Sequence, residues 1–242
     1  MSPLAVILLG SGLMSVIALV GGITVLLPRR RLQALLLPLV ALAAGSLLGG
    51  ALFHMLPEGF AALEPRRAGA WLAAGFSTFL ALEQFLHWHH SHRQGPAPEP
   101  MALLILLGDG LHNFVGGLGI ASTYLIHPAA GVAAWLAAAA HEIPQELGDF
   151  GVLVHSGWRP RQALLWNLIS ALTFPLGALL AWGLRDSLAL APLVLFAAGN
   201  FLYIAASDLV PEIKARVAPQ EALAAFGWFA VGLLLLLALA SG

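Results

Sequence analysis

Asp109-Gly110-Leu111-His112-Asn113-Phe114-Val115-Gly116-Gly117 decides how the rest of the chain is read, because it sets a carboxyl, an imidazole and an amide inside an apolar run from 101 to 126. A second apolar run, 129–155, follows directly and holds His141-Glu142-Ile143-Pro144-Gln145-Glu146-Leu147-Gly148-Asp149. Each run is a little longer than the roughly 20 residues with which a helix crosses a hydrocarbon core. Ionisable groups at that depth are costly, and they mark functional positions by default.

Outward from this pair the apolar pattern continues to both ends. Hydrophobic residues make up 60% of the 242, charged residues 10%, and the net charge is −1. That excludes a soluble domain, which needs far more polar surface, and gives no reason to expect a nucleic-acid partner. The composition predicts an all-α integral membrane protein of eight transmembrane helices, at about 3–27, 33–57, 69–88, 101–126, 129–155, 160–184, 189–212 and 221–241. We read 1–242 as a single transmembrane domain with the lipid bilayer as its surroundings. The first span lacks a basic start and a short core before a cleavage site, so it reads as a retained helix rather than a signal peptide. The breaks carry loop chemistry, for example Glu64-Pro65-Arg66-Arg67 and Trp158-Arg159-Pro160-Arg161.

Basic residues orient the bundle. Arg29, Arg30, Arg31, Arg93, Arg159, Arg161, Lys214 and Arg216 fall in one set of alternate loops, and only Arg66, Arg67 and Arg185 in the other. The positive-inside rule then places both termini outside the cytoplasm. The expected location is the plasma (inner) membrane of a bacterium. With the chain so threaded, His112 and His141 lie near the bilayer midplane, at about 1.5 Å of rise per residue.

The absence of cysteine leaves imidazole, carboxylate, amide or thioether groups to hold any metal. On a helix of 100° per residue, His141, Glu142, Gln145, Glu146 and Asp149 share an arc of about 140°. Asp109, His112 and Asn113 share one of about 100°. Two neighbouring helices, each with an imidazole at one depth, can hold a cation between them, with Glu142 as the anionic ligand and Gln145 one turn further in. That donor set suits zinc, and also cadmium, iron or manganese, as a transported substrate; no cofactor is expected. Pro144 frees the carbonyl of Ala140. The glycines at 45, 49, 108, 110, 116, 117 and 119 permit close helix approach. Asp109, Glu146 and Asp149 continue inward as a candidate exit path. His87, His89, His90 and His92, in a cytoplasmic loop spanning 87–100, are candidates to receive the ion, with a solvated tract as the plain alternative. His54 and Glu58 mark a candidate entrance. His127 and His155 are assigned no role.

These residues resemble the Zrt/Irt-like (ZIP) metal transporters. The match lies in the fourth-helix pattern His-Asn-Phe followed closely by Gly, and the fifth-helix pattern His-Glu-x-Pro-x-Glu-x-Gly-Asp. It extends to Ala44–Gly49, to His54-Met55-Leu56-Pro57-Glu58, and to Gly199 through Tyr203 to Asp208-Leu209-Val210-Pro211-Glu212. The resemblance implies a ZIP-like bundle of eight helices, metal movement into the cytoplasm, and a homodimer. It makes His112, His141 and Glu142 primary-site ligands and Asn113 a residue of an adjacent second site. Three departures stand out. Gly116 replaces the usual fourth-helix acid, Gln145 the residue able to bridge two metals, and Phe174 a carboxylate that precedes the sixth-helix proline in some branches. A single metal at the transport site is the expectation. His141-Glu142-x-x also resembles the start of the zinc-protease motif, but Gln145 stands where its second histidine belongs and Pro144 interrupts it. A hydrolase or a non-transporting metal sensor are the alternatives weighed; an enzyme is not expected.

Overall fold

The computed structural model describes residues 1–23, 29–91, 99–155, 157–186, 189–214 and 218–240. Among them every element is helical. We number the helices α1 (Pro3–Ile17, prolonged by a 3-10 turn Ala18–Gly22), α2 (Arg29–Gly50, a π-turn Ala51–Met55, and Leu56–Ala62) and α3 (Pro65–Ser91). Then come α4 (Glu99–Ile126), α5 (Pro128–His155), α6 (Pro160–Ala171 and Thr173–Leu184), α7 (Ala191–Tyr203, a π-turn Ile204–Leu209, and Val210–Lys214) and α8 (Pro219–Ala240).

Several helices begin on a proline: Pro65, Pro128, Pro160 and Pro219. The first turn of a helix has no partner for its N–H groups, so a residue without one loses nothing there. Prolines further in leave a different mark. Pro57 and Pro211 cannot donate to the carbonyls of Phe53 and Ser207, and both carbonyls lie within the π-turns that interrupt α2 and α7. Pro175 likewise cannot serve Ala171, where α6 breaks at Leu172. Helix α2 also runs beyond the expected end at 57 as far as Ala62, and residues 24–27 of the expected first span lie outside the described residues.

The polarity of the molecule is turned inside out relative to a soluble protein. Leu8, Leu9 and Leu13 of α1, Leu165 and Trp166 of α6, and Phe226, Leu234 and Leu235 of α8 are exposed. His54, Asp109, His112, Asn113, His141, Glu142, Glu146, Asn167 and Asn200 are buried. An apolar exterior around an interior that holds ionisable and amide groups belongs to a helical integral membrane protein. Five stretches are long and apolar enough to cross a bilayer by length and composition: Pro3–Gly22, Ala34–Ala62, Pro160–Leu184, Ala191–Lys214 and Pro219–Ala240. Helices α3, α4 and α5, of 27, 28 and 28 residues, add no further such stretch among their described residues.

Three pairings frame the interior: α2 along α8, α4 along α6, and α3 along α7. Each crossing has a glycine on both sides. A Cβ added to Gly45 would lie 2.0 Å from the Phe229 oxygen, and one on Gly232 2.3 Å from that of Leu42. Gly117 and Gly177 meet Phe174 and Phe114 oxygens at 2.0 Å, and Gly75 and Gly199 meet Phe196 and Leu72 oxygens at 1.9 and 2.2 Å. Backbones this close tolerate no side chain, and they set how deeply α4 sits against α6.

Candidate metal site

Helices α4 and α5 are joined by a tight turn at His127 and run antiparallel, so the middles of two 28-residue helices fall at one level. His112 and His141 occupy those middles. Their ring centroids are 4.9 Å apart and nearly perpendicular, and Phe79 of α3 closes over His112 at 6.2 Å. Glu142 follows His141 on the same face. Its Oε2 lies 3.9 Å from His112 Nε2 and 3.9 Å from His141 Nδ1. One ligand atom from each of the three residues falls within 4.8 Å of the others. Ligands of a tetrahedral zinc ion stand about 3.3 Å apart, so small side-chain rotations close the set.

The hydrogen bonds set which ring nitrogens remain free. His141 Nδ1–H donates to the Ala138 carbonyl at 3.3 Å, and its Nε2 is buried without a partner. A lone pair kept dry and unpaired is what a metal ligand needs. Across the site, Asn200 of α7 lies with Nδ2 3.3 Å from His112 Nδ1, while its Oδ1 is buried and unpartnered. Turning that amide over gives Nδ1–H an acceptor, satisfies both groups and frees His112 Nε2 toward Glu142. Asn200 was not singled out from the sequence. The signal available was an amide in the apolar run of α7, where an unsatisfied polar group is expensive.

The other sequence candidates distribute as follows. Asn113 donates to Asp109 Oδ1 at 2.9 Å, and Gln145 donates to the same oxygen at 2.9 Å; Gln145 also lies beside His141, and Asn113 beside Glu142. Asp109 and Glu146 gather with Glu142 into a second group, with carboxylate oxygens within 4.8 Å of one another. Asn167 of α6, also not singled out from the sequence, donates to Glu146 Oε2 at 2.7 Å. Asp149 lines a cavity of about 340 Å³ together with Asp109, His112, His141, Gln145, Glu83 and Asp208. Tyr203, on its wall, donates to Glu83. His54 is buried, and its Nε2–H donates to the Leu236 carbonyl at 2.8 Å. Glu58 is apart from it, 3.6 Å from His127, whose Nδ1 also accepts from the Ala130 N–H at the start of α5. The side chains of His87, His89 and His90, and the whole of His92, lie outside the described residues.

Two of the departures from the family pattern turn out to be neighbours. A Cβ on Gly116 would stand 3.3 Å from Cε2 of Phe174, and Phe174 is buried. At this place a ring lies against a glycine.

Comparison with known proteins gives a match to the family profile described as ZIP zinc transporter over residues 4–100 and 92–240. The chain is 31% identical to zinc transporter ZIP13 of Pongo abelii over 204 residues, covering 76% of this chain and 61% of that protein. It is 35% identical to zinc transporter ZIP10 of Homo sapiens over 141 residues, covering 52% of this chain and 17% of the relative. Over 116 residues it is 41% identical to metal cation symporter ZIP8 of Rattus norvegicus, covering 47% and 25%. The chain thus spans between about a sixth and three fifths of the length of these relatives.

Proposed function

This chain belongs to the ZIP zinc transporter family, and from that premise we propose that it carries a divalent metal ion, zinc first, across the bilayer into the cytoplasm. The ion binds between α4 and α5 at His112, His141 and Glu142, near the midplane. One observation carries this reading: three metal-ligating side chains from two central helices meet in a buried place, and the Nε2 of His141 is left without a partner. In this reading all eight helices cross the membrane and both termini are extracytoplasmic.

The cavity supports the direction. Its walls come from Val40 of α2, Glu83 of α3, Asp109 of α4, Asp149 of α5 and Asp208 of α7, all on one side of the histidine pair. In the orientation set by the basic loops that side is cytoplasmic, so the molecule is in an inward-facing state. Carboxylates along the wall then draw the ion out of the site. On the opposite side His54 is tied to α8 and Glu58 stands beside His127, which closes the outer approach. Transport follows as rocking of the α4–α5 pair and its neighbours about the site. Membership of a transporter family leaves the zinc-protease and hydrolase readings without support.

The test is zinc flux into proteoliposomes of purified protein, with His141→Ala as its pair. Flux in the wild type and none in a folded variant is the expected result. No flux in either, with zinc still bound by the wild type, turns the reading to a metal sensor.

A further inference from the structure

Along the seam between α4 and α6 runs a groove of about 430 Å³, which shares no described residue with the cavity at the histidine pair. Leu107, Leu111 and Phe114 of α4 form one bank, and Trp166, Ile169 and Thr173 of α6 the other. Gly110 forms the floor, where an added Cβ would stand 3.7 Å from Thr173 Cγ2 and 3.8 Å from Ser170 Cβ. The polar groups of the floor are already served. The Thr173 hydroxyl donates to the Gly110 carbonyl at 2.6 Å, and that of Ser170 to the Asn167 carbonyl at 2.9 Å. Apolar banks over a satisfied floor give water little to bind. Leu107, Leu111, Trp166 and Ile169 are exposed, so the groove is continuous with the apolar exterior that the bilayer covers. Hydrocarbon is therefore what enters it.

At one end the groove meets positive charge. Gln162 lies one turn before Trp166 on α6, and with Arg159, Pro160 and Arg161 it borders a recess of about 530 Å³. Both arginines are exposed, and among the described residues neither is in an ion pair. Trp158, next to Arg159 in the chain, meets Trp166 of the groove edge-on, with ring centroids 6.3 Å apart. Tryptophans gather at the boundary between headgroups and hydrocarbon. From Arg159 to Thr173 is about 21 Å along α6, which reaches from headgroup level to about the middle of a hydrocarbon core of about 30 Å.

Positive charge, an aromatic boundary and a hydrocarbon groove, in that order, match the parts of one molecule. We propose that the α4–α6 groove binds an anionic phospholipid. Its phosphate and headgroup sit at Arg159 and Arg161, and one acyl chain lies between Leu107, Leu111 and Ile169 as far as Phe114. A zwitterionic headgroup brings a cation that two arginines disfavour, whereas an anionic one brings only charge that they attract. In the orientation of the transport reading this lipid belongs to the cytoplasmic leaflet, and the proposal rests on that reading for the leaflet alone.

Purified full-length protein in detergent is mixed with phosphatidylglycerol or phosphatidylcholine of identical acyl chains, and retained lipid is read by native mass spectrometry. The wild type is expected to prefer phosphatidylglycerol, by roughly fivefold for each arginine. Arg159→Gln/Arg161→Gln is expected to lose that preference, while Arg66→Gln/Arg67→Gln, a pair at the start of α3, keeps it. Ile169→Trp and Leu107→Trp fill the groove from either bank and leave both arginines in place; each is expected to lose bound phosphatidylglycerol. Monodispersity on size exclusion checks that each variant folds. Equal retention of the two lipids by the wild type overturns the site. So does a preference that survives in Arg159→Gln/Arg161→Gln, an equal loss in Arg66→Gln/Arg67→Gln, or unchanged retention in both tryptophan variants. Lipid confined to the monomer in a sample that also holds dimer overturns it too, because a second copy then covers the groove. Absence of zinc flux with the lipid preference intact removes the transport reading and leaves this one standing; flux without the preference does the reverse.

Discussion

At the scale of single residues, the site depends on which nitrogen of each imidazole is free. Ala138 and Asn200 decide that for His141 and His112. Asn200→Ala removes the group that holds the His112 ring, and zinc affinity is expected to fall about 10- to 100-fold with the fold intact. Isothermal titration of the purified variant checks this; an unchanged affinity removes Asn200 from the site. Protons compete for the same nitrogens. Zinc binding requires both imidazoles neutral, so uptake is expected to weaken as the outer pH drops from about 7 to about 5. Equal rates at both ends of a pH series in proteoliposomes would mean that histidine ligation does not limit the rate. Gly116 and Phe174 belong to this scale too. Together they set a ring against a backbone.

Helices bring these residues together by how closely they cross. Gly117 faces the Phe174 carbonyl across the α4–α6 crossing, and Gly177 faces that of Phe114. A methyl group at Gly117 needs the two backbones to separate, which overpacks the interface at a cost of about 1–3 kcal/mol or more. Gly117→Ala is therefore expected to lower the thermal midpoint and weaken zinc binding together. Gly69→Ala on α3, where an added Cβ meets nothing within 4 Å, serves as the neutral control. A thermal shift assay on both variants separates the cases: equal midpoints would mean the α4–α6 crossing has slack. The π-turns of α2 and α7 carry His54 and Asp208, and each holds the carbonyl that a following proline cannot serve. Local backbone chemistry thereby places one polar side chain against α8 and one on the wall of the cavity.

For the whole molecule, the cavity is the feature that can be tested from outside. The chain has no cysteine, so single cysteines report without background. Val40→Cys and Leu209→Cys, both on the cavity wall, are expected to react with a membrane-impermeant thiol reagent from the cytoplasmic side. Glu58→Cys is expected to react from the opposite side. Labelling of right-side-out and inverted vesicles measures this, and a reversed pattern inverts the orientation drawn from the basic loops. Part of this protein was legible in its residues alone: the helical membrane class, the family, and the two neighbouring helices on which His112, His141 and Glu142 come together. Hydropathy, helical period and motif spacing are local properties, and they survive without knowledge of the fold. Asn200, Asn167 and Phe174 took their roles only from the tertiary structure, as did the pairing of Glu58 with His127 and the division of the acids between two groups. Those contacts join helices far apart in the chain. Which side chains meet there depends on the depth and angle of the glycine crossings, and no period along one helix records where another helix will touch it.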